Sequence, residues 1–530
     1  MALCLIRDIL HRNNSDLDKY DLPLPAHEFA PVPLNINRLM LDERNYNVDI
    51  MRDTVRLGYA RLNADQKVAF DTLYQAVTSG DGGVFFLEGF GGTGKTFLIN
   101  LVLAKVRLDG RIALATASSG IAATLLDGGT TAHSRFKIPI DIQAESTCNI
   151  AAQSNLADLI RESELIFWDE APMQNRYTFE AVDRTLRDLR NDPRPFGGIP
   201  FCFCGDFRQI LPVVPRGTRG QIVSACLKRS PLWRHVQRLP LTINMRLFST
   251  QMSPAERLRQ EEFANRILAI GEGRETNNEI VQWPLNGIIP DNTSRSLVNA
   301  IYPTLANPNA PLPTAQHLAE RAILSARNDS VDNLNEQLLD SMRGEVVTLY
   351  SADKVVDDTD AEIYATEYLN TVNIPNLPLH RLKLKIGAPV ILLRNLSPST
   401  GLCNGTRLRI SRINQRVLEC EILGGKHAGN IVLIPRIPLS PSSTAELPFD
   451  FRRTQFPVRL AFAMTINKSQ GQTLNYVGLS LTESVFTHGQ LYVAVSRVTN
   501  GANLRMIVPD TDDARREGKI KNVVYIEVFN

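Results

Sequence analysis

"LEGFGGTGKTFLIN" occupies residues 87–100, and the fold turns on how it is read. An apolar run, "VFFLEG", leads into three closely spaced glycines. Lys95 and Thr96 follow, and then a second apolar run. Gly89-x-x-x-x-Gly94-Lys95-Thr96 is the spacing of a loop whose backbone N–H groups, with the helix N-terminus behind them, face phosphate oxygens. The pattern assigns Gly89, Phe90, Gly91, Gly92, Thr93, Gly94, Lys95 and Thr96 to a nucleotide. Lys95 is expected at the β- and γ-phosphates and the Thr96 hydroxyl on Mg²⁺. A strand that turns straight into a helix this way predicts an α/β fold.

Working outward, "RIALATA", "ELIFWDE" and "PFCFCGD" are near-continuous apolar runs separated by helical stretches, the signature of parallel strands buried on both faces. Open α/β sheets bind ligands at the carboxyl ends of such strands. At 530 residues the chain exceeds one hydrophobic core. A net charge of +2 excludes a polycation, though not a local basic groove. Seven scattered cysteines suggest reduced thiols, and no run approaches a membrane span. The expectation is a soluble intracellular protein.

"LIFWDEAPM" (165–173) delivers Asp169 and Glu170 at a strand end. Asp169 is expected to hold Mg²⁺, and Glu170 to orient and deprotonate a water. "FCGDFRQILPV" places Gln209 where it could sense the γ-phosphate. Arg246 in "LTINMRL" and Arg497 in "LYVAVSRV" are candidate guanidinium stabilisers of phosphoryl transfer, the second arriving from a different part of the chain. Gln66, three residues after Asn63, allows two readings that can coexist: a capping box and an adenine contact.

A second α/β stretch begins near residue 250, with "HLAERAILSARNDSVDNLNEQLL" read as strand, turn and helix. "DKVVDDTDAE" (353–362) reads as an exposed acidic connection. Between about 380 and 455, short β-type runs punctuated by Gly, Asn and Pro suggest a small β-barrel-like insert. The proline-rich start, residues 1–50, reads as a short helix and an extended strap. The expected organisation is an N-terminal extension (1–58), a first P-loop domain (59–247) and a second split around the insert (248–390 and 456–530, insert 391–455).

The ordered set LNADQ, GFGGTGKT, LATASSGIAA, TTAHSRF, WDEAPM, GDFRQILPV, NMR, NGTRL, TINKSQGQTL and YVAVSRV resembles a superfamily-one helicase, in particular the Pif1 family of 5′→3′ DNA helicases. "RTLRDLRNDPRPFGG" looks like that family's signature. The resemblance implies two RecA-like motor domains, with an SH3-like β-barrel module between the halves of the second. It also implies ATP and Mg²⁺ as cofactors, a monomeric motor, and single-stranded DNA and tailed duplexes as partners, with no membrane role. Recombination, repair or telomere maintenance in a nucleus follows from the same resemblance. The flanks "LCLIRDILHRNNSDLDKYDLPLP" and "IKNVVYIEVFN" look like the helicase portion of Helitron rolling-circle transposons. Tyr364 and Tyr368 in "YATEY" have the spacing of that group's nickase, but no His-x-His pair accompanies them, so they read as structural.

A motor of this kind needs a sequence-tolerant grip on a strand. "ATASSGIAA" offers Thr116, Ser118, Ser119 and Gly120, and "TTAHSRF" offers Thr131, His133 and Arg135. "LCNGTRL" offers Asn404, and "TINKSQGQT" offers Thr465, Asn467, Lys468, Ser469 and Gln470. Two alternatives stay open on sequence: an ATPase that remodels protein–DNA complexes without processive unwinding, and an inactive transposon-derived nucleic-acid binder.

Overall fold

The computed structural model describes residues 37–248, 252–305, 311–356, 364–374, 376–441 and 447–529. The expectations for residues 1–36, including most of the strap and the Helitron-like start, lie outside the described residues. Residues 37–59 differ from an extended strap. Asn37 and Asn47 cap two helices, α1 (Arg38–Arg44) and α2 (Val48–Tyr59), each accepting two backbone N–H groups of the first turn.

Lobe one is a six-stranded parallel sheet. Its strands are β1 (Val84–Gly89), β2 (Ile112–Ala117), β3 (Thr130–Thr131), β4 (Ser163–Asp169), β5 (Phe201–Gly205) and β6 (Val236–Leu241), in the order β3-β2-β4-β5-β1-β6. All six residues of β2 are buried, as the unbroken apolar run requires. Helix α3 (Ala64–Ser79) precedes β1, and α4 (Lys95–Leu108) follows it. Leu98, Leu101, Val102 and Val106 hold α4 against the sheet, and Gly58 of α2 lies directly on Leu101.

Lobe two repeats the scheme on a smaller scale. Strands β7 (Arg321–Ser325), β13 (Ala463–Thr465), β14 (Tyr476–Ser480) and β15 (Leu504–Ile507) form a parallel sheet in the order β13-β7-β14-β15. The expected strand–turn–helix over 317–339 is present as β7 and the helix Asn328–Ser341. Between the sequence halves of this lobe, an antiparallel sheet runs β11-β10-β9-β8-β12, from β8 (Pro389–Leu392), β9 (Arg407–Ile413), β10 (Val417–Ile422), β11 (Ile431–Pro435) and β12 (Val458–Leu460). A smaller sheet of Ala352–Val355, Phe451–Gln455 and Ile437–Leu439 lies beside it. The antiparallel region therefore starts well before residue 391. The acidic stretch departs from a solvated connection: Asp353 is a buried strand residue, gripped by Arg453 Nε and Nη2 at 2.9 and 2.7 Å. Residues 357–362 of that stretch lie outside the described residues. Tyr364 packs on Phe449 at 4.1 Å between ring centroids, a structural role.

The two lobes share one apolar junction. From Phe86 and Trp233 it passes through Phe207, Ile210 and Leu211 into Leu491, Tyr492 and Val495 of lobe two. Burial on that scale holds the lobes closed over the carboxyl ends of β1, β4 and β5.

Candidate functional site

The glycine-rich loop is built to receive an anion. Gly92 and Gly94 have φ of 104° and 83°, a region that L side chains rarely adopt. Gly94 occupies the N-cap of α4, and no side chain caps that helix, so its first N–H groups face the loop. A Cβ at Gly92 would sit 2.8 Å from Asn244 Oδ1 and 3.0 Å from Arg246 Cδ; one at Gly94 would sit 2.5 Å from Gln66 Nε2. Met245 N donates to Gly92 O at 2.9 Å, tying the segment "NMR" to the cradle. The Lys95 ammonium folds back onto the carbonyls of Gly89 and Phe90. These are weak partners for a charge, and a phosphate would displace them.

Gln66 realises the capping box. Its Oε1 accepts from Asn63 N at 3.1 Å and its N–H donates to Asn63 Oδ1 at 2.9 Å. Its Nε2 donates to Thr93 O at 2.9 Å, so in this conformation the amide braces the loop.

Across the cradle, β4 delivers Asp169, which is buried. Glu170 follows with φ 53° and ψ 37°, a left-handed conformation uncommon for a glutamate. Burial raises the Asp169 carboxyl above its ordinary value, against the Lys95 charge and the Glu170 N–H, which donates to Asp169 Oδ1 at 2.9 Å. Glu170 is pushed up to about 7, first by burial and then by the Asp169 charge, with Lys95 and Arg497 pulling the other way. A carboxyl poised near neutrality beside a phosphate cradle has the properties of a general base.

The second wall comes from lobe two. Helix α9 (Gln490–Ser496) ends at Arg497, whose guanidinium is oriented by Val493 O (2.9 Å), Gln472 O (3.1 Å) and Ser496 Oγ (2.9 Å). It lies close enough to Glu170 for each to shift the other's titration. Burial disfavours the charge on Arg246, and Arg497 adds to that effect. Among the described residues neither arginine has a carboxylate in ion-pair contact, so the pair forms an anion-seeking wall. Arg246, Phe90, Gln260, Phe263, Tyr492 and Thr499 line a cavity of about 300 Å³ beside the cradle, of the size a nucleoside needs.

Sequence reasoning missed the network joining the lobes. Asp206, one residue past β5, accepts from the Tyr492 hydroxyl and from Arg208 Nη1 at 3.0 Å. Arg208 continues to Glu272 at 2.6 Å, on the helix Pro254–Glu272. His488 Nε2 donates to Phe207 O at 2.9 Å while its Nδ1 accepts from Tyr525 N. Apart from Glu272, these groups stand within quoted motifs or just beside them; what the sequence lacks is the pairing of Asp206 with Tyr492 and of Phe207 with His488 across some 280 residues. Gln209 is buried, and its Oε1 accepts from Gln470 Nε2 at 2.9 Å.

The strand-contact candidates divide. Thr116 is fully buried and its hydroxyl donates to Phe167 O at 2.7 Å, so it belongs to the sheet and cannot meet a strand. Ser469 is likewise buried, donating to Ile466 O, and Gln470 faces Gln209. Thr465 is buried at the end of β13, and Arg135 is held by Glu43 at 2.7 Å. These five depart from expectation for one reason: a polar side chain at a strand or helix end is as readily consumed by the fold as presented. Ser118 is half-buried, accepting from Trp168 Nε1 at 3.0 Å, while Ser119 caps the helix α5 (Gly120–Leu125). Gly120 abuts Cys403 and Asn404 of the inserted module. Asn404 is exposed; Thr131, His133, Asn467 and Lys468 are half-buried. These side chains keep some solvent exposure.

The family model described as PIF1-like helicase matches residues 61–280, and that described as DNA helicase Pif1, 2B domain, matches 367–413. The ATP-dependent DNA helicase PIF1 of Danio rerio is 30% identical over 441 residues, covering 82% of this chain and 59% of the relative. The chain thus spans about three fifths of that protein's length. Among solved structures, one concerning DNA unwinding at forked dsDNA by two coordinating Pif1 helicases has a TM-score of 0.60 at 22% identity, covering 85% of this chain and 93% of its own. The Pif1 helicase from Bacteroides in complex with ADP-AlF3 and ssDNA has a TM-score of 0.58 at 21% identity, covering 86% and 99%. At these identities the structural likeness shows the fold: two RecA-like lobes with an inserted β module.

Proposed function

The chain belongs to the PIF1-like helicase family, and from that premise we propose that it is an ATP-dependent 5′→3′ DNA helicase, acting as a monomer on single-stranded DNA and tailed duplexes. The observation that carries the reading is the meeting of Arg246 from lobe one and Arg497 from lobe two beside Lys95 and Glu170. A site so divided works only when the lobes are closed, which couples occupancy of the cleft to relative motion.

Lys95 and the loop N–H groups hold the β- and γ-phosphates of ATP. Thr96 and Asp169 are the residues that would carry Mg²⁺, and the ion's chemistry there is to offset charge on the phosphate oxygens. Glu170 orients a water and takes its proton as the water oxygen bonds to the γ-phosphorus and the bond to the ADP oxygen breaks. Arg246 and Arg497 stabilise the charge that spreads over the transferring group, an effect worth about 10³–10⁵ in rate for such guanidinium groups. Gln66 reaches the adenine edge after releasing Thr93, and Gln209 reports the γ-phosphate to lobe two. Ser118, Thr131, His133, Asn404, Asn467 and Lys468 are the contacts we retain for the strand, Gly120 being buried against Cys403. Support comes from the Bacteroides relative, solved with ADP-AlF3 and ssDNA. A nuclear role in recombination, repair or telomere maintenance, or an origin in a Helitron, rests on resemblance.

The test is ATP hydrolysis with and without single-stranded DNA, and unwinding of 5′- and 3′-tailed duplexes. Stimulation by DNA, its loss in Lys95→Ala and a requirement for a 5′ tail are expected. Undiminished turnover in Lys95→Ala, or a preference for 3′ tails, overturns the reading.

A further inference from the structure

The cleft of about 250 Å³ between α5 of lobe one, the segment Gly471–Leu474 of lobe two and the inserted module is separate from the nucleotide cavity. One wall is the loop Gly424–Gly429 between β10 and β11, in which Gly425 and Gly429 take φ of 76° and 84°. That loop projects Lys426 across to lobe one, where its ammonium meets the Asp127 carboxylate. Asp127 is held firmly by its backbone: its N–H donates to Asn100 Oδ1 at 2.9 Å, and its carbonyl accepts from Arg107 Nη1 at 2.8 Å. The ion pair joins lobe one to the module beside the cleft, which Lys426 lines. Ile121 and Thr124 line the cleft within the first turn after Gly120, and Ile121 lies against Gly405.

Two properties of this pair point beyond bracing. Its side chains are 42% and 48% exposed, so the bond is worth at most a few-fold in any equilibrium and is easily exchanged. A phosphodiester offers the same ammonium an anionic oxygen of the same kind as the carboxylate. We propose that Lys426 is a phosphate contact of the single-strand path, and that Asp127 occupies its ammonium when no strand is bound. Entry of a strand exchanges carboxylate for phosphate and frees the module from lobe one. The inference rests on the helicase reading, since it takes the ligand to be single-stranded nucleic acid.

The experiment is binding of a fluorescent oligothymidylate to the full chain by anisotropy across a salt series. Lys426→Gln is expected to weaken binding about three- to tenfold and to flatten the slope of log K against log salt by about 0.7, the value for one lost phosphate on a single strand. Asp127→Asn is expected to tighten binding about two- to fivefold, and that gain should vanish in the Lys426→Gln background. If both single variants weaken binding, the pair is a brace. If the Asp127→Asn gain persists in the double variant, Asp127 acts only as a repelling charge. An unchanged salt slope in Lys426→Gln removes the phosphate contact. Each of these overturns the inference while leaving the helicase reading intact, whereas a parent chain that does not bind oligothymidylate overturns both.

Discussion

Gln470 Nε2 donates to Gln209 Oε1 at 2.9 Å, a buried bond between the residue after β13's turn in lobe two and the loop after β5 in lobe one. With the Gln209 oxygen accepting this bond, its amide nitrogen is the donor that the proposed γ-phosphate contact would use. Gln470 Oε1 is buried without a partner among the described residues, so the bond from Nε2 is this side chain's tie to lobe one. Gln470→Ala should therefore leave nucleotide affinity within about twofold and lower DNA-stimulated turnover about tenfold, a loss of ~1.4 kcal/mol. Equal kinetics in parent and variant, measured with and without single-stranded DNA, would deny the link.

Glu170 carries a pH signature. With its carboxyl at about 7, hydrolysis should fall roughly tenfold per pH unit below neutrality, because only the ionised form accepts the proton. The same shift bears on stability. A carboxyl whose folded-state value is raised costs stability once the pH passes its ordinary range near 4.5, and the cost grows until about 7. Glu170→Gln should abolish turnover, keep ATP binding, and stabilise lobe one by on the order of 1–3 kcal/mol at pH 8, with little gain at pH 4.5. Calorimetry at the two pH values checks the sign.

Both outcomes bear on what a reader of the chain can extract. The candidate nucleotide site is legible because its pattern is local: Gly89–Thr96 fall within eight consecutive residues, and Asp169 and Glu170 end an unbroken apolar strand. The candidate strand contacts are legible only in part, because Thr116, Ser469 and Gln470 look like presented polar groups until their burial is known. The lobe junction was not legible. Asp206 and Tyr492 are each ordinary in sequence and acquire meaning only when folding brings them together. The extent of the β module was misjudged for a related reason: Asp353 sits in an acidic run that reads as solvated, yet Arg453, 100 residues on, makes it a core residue.

At Gly489 lobe two meets the backbone of lobe one. It takes φ 73° at the start of α9, and a Cβ there would lie 2.4 Å from Arg208 O and 2.8 Å from Gln209 O, both backbone atoms. Gly489→Ala meets a strained conformation and a backbone clash together, so the junction must open. We expect destabilisation of more than 1 kcal/mol and a larger fractional loss of turnover than of ATP affinity, since Arg497 rides on the same helix. Thermal melting beside Michaelis–Menten kinetics tests this; a variant that melts and turns over like the parent refutes the close approach.

Glu43 shows why the helices before β1 are part of lobe one. It is buried on α1, accepting from Arg135 Nη2 at 2.7 Å, Arg107 Nη2 at 3.4 Å and the Tyr46 hydroxyl at 3.1 Å. The Arg107 guanidinium also stacks over the Tyr46 ring at 4.2 Å and holds Asp127 O through its other nitrogen. Two buried guanidinium groups thus depend on one carboxylate. Removing it by Glu43→Ala leaves them uncompensated, which costs about 3–5 kcal/mol. The double variant Glu43→Ala, Arg135→Ala should recover part of that loss, since one orphaned charge is gone. If Glu43→Ala melts within a degree of the parent, α1 is not an anchor and the link from the N-terminal helices through Arg107 to Asp127 does not hold.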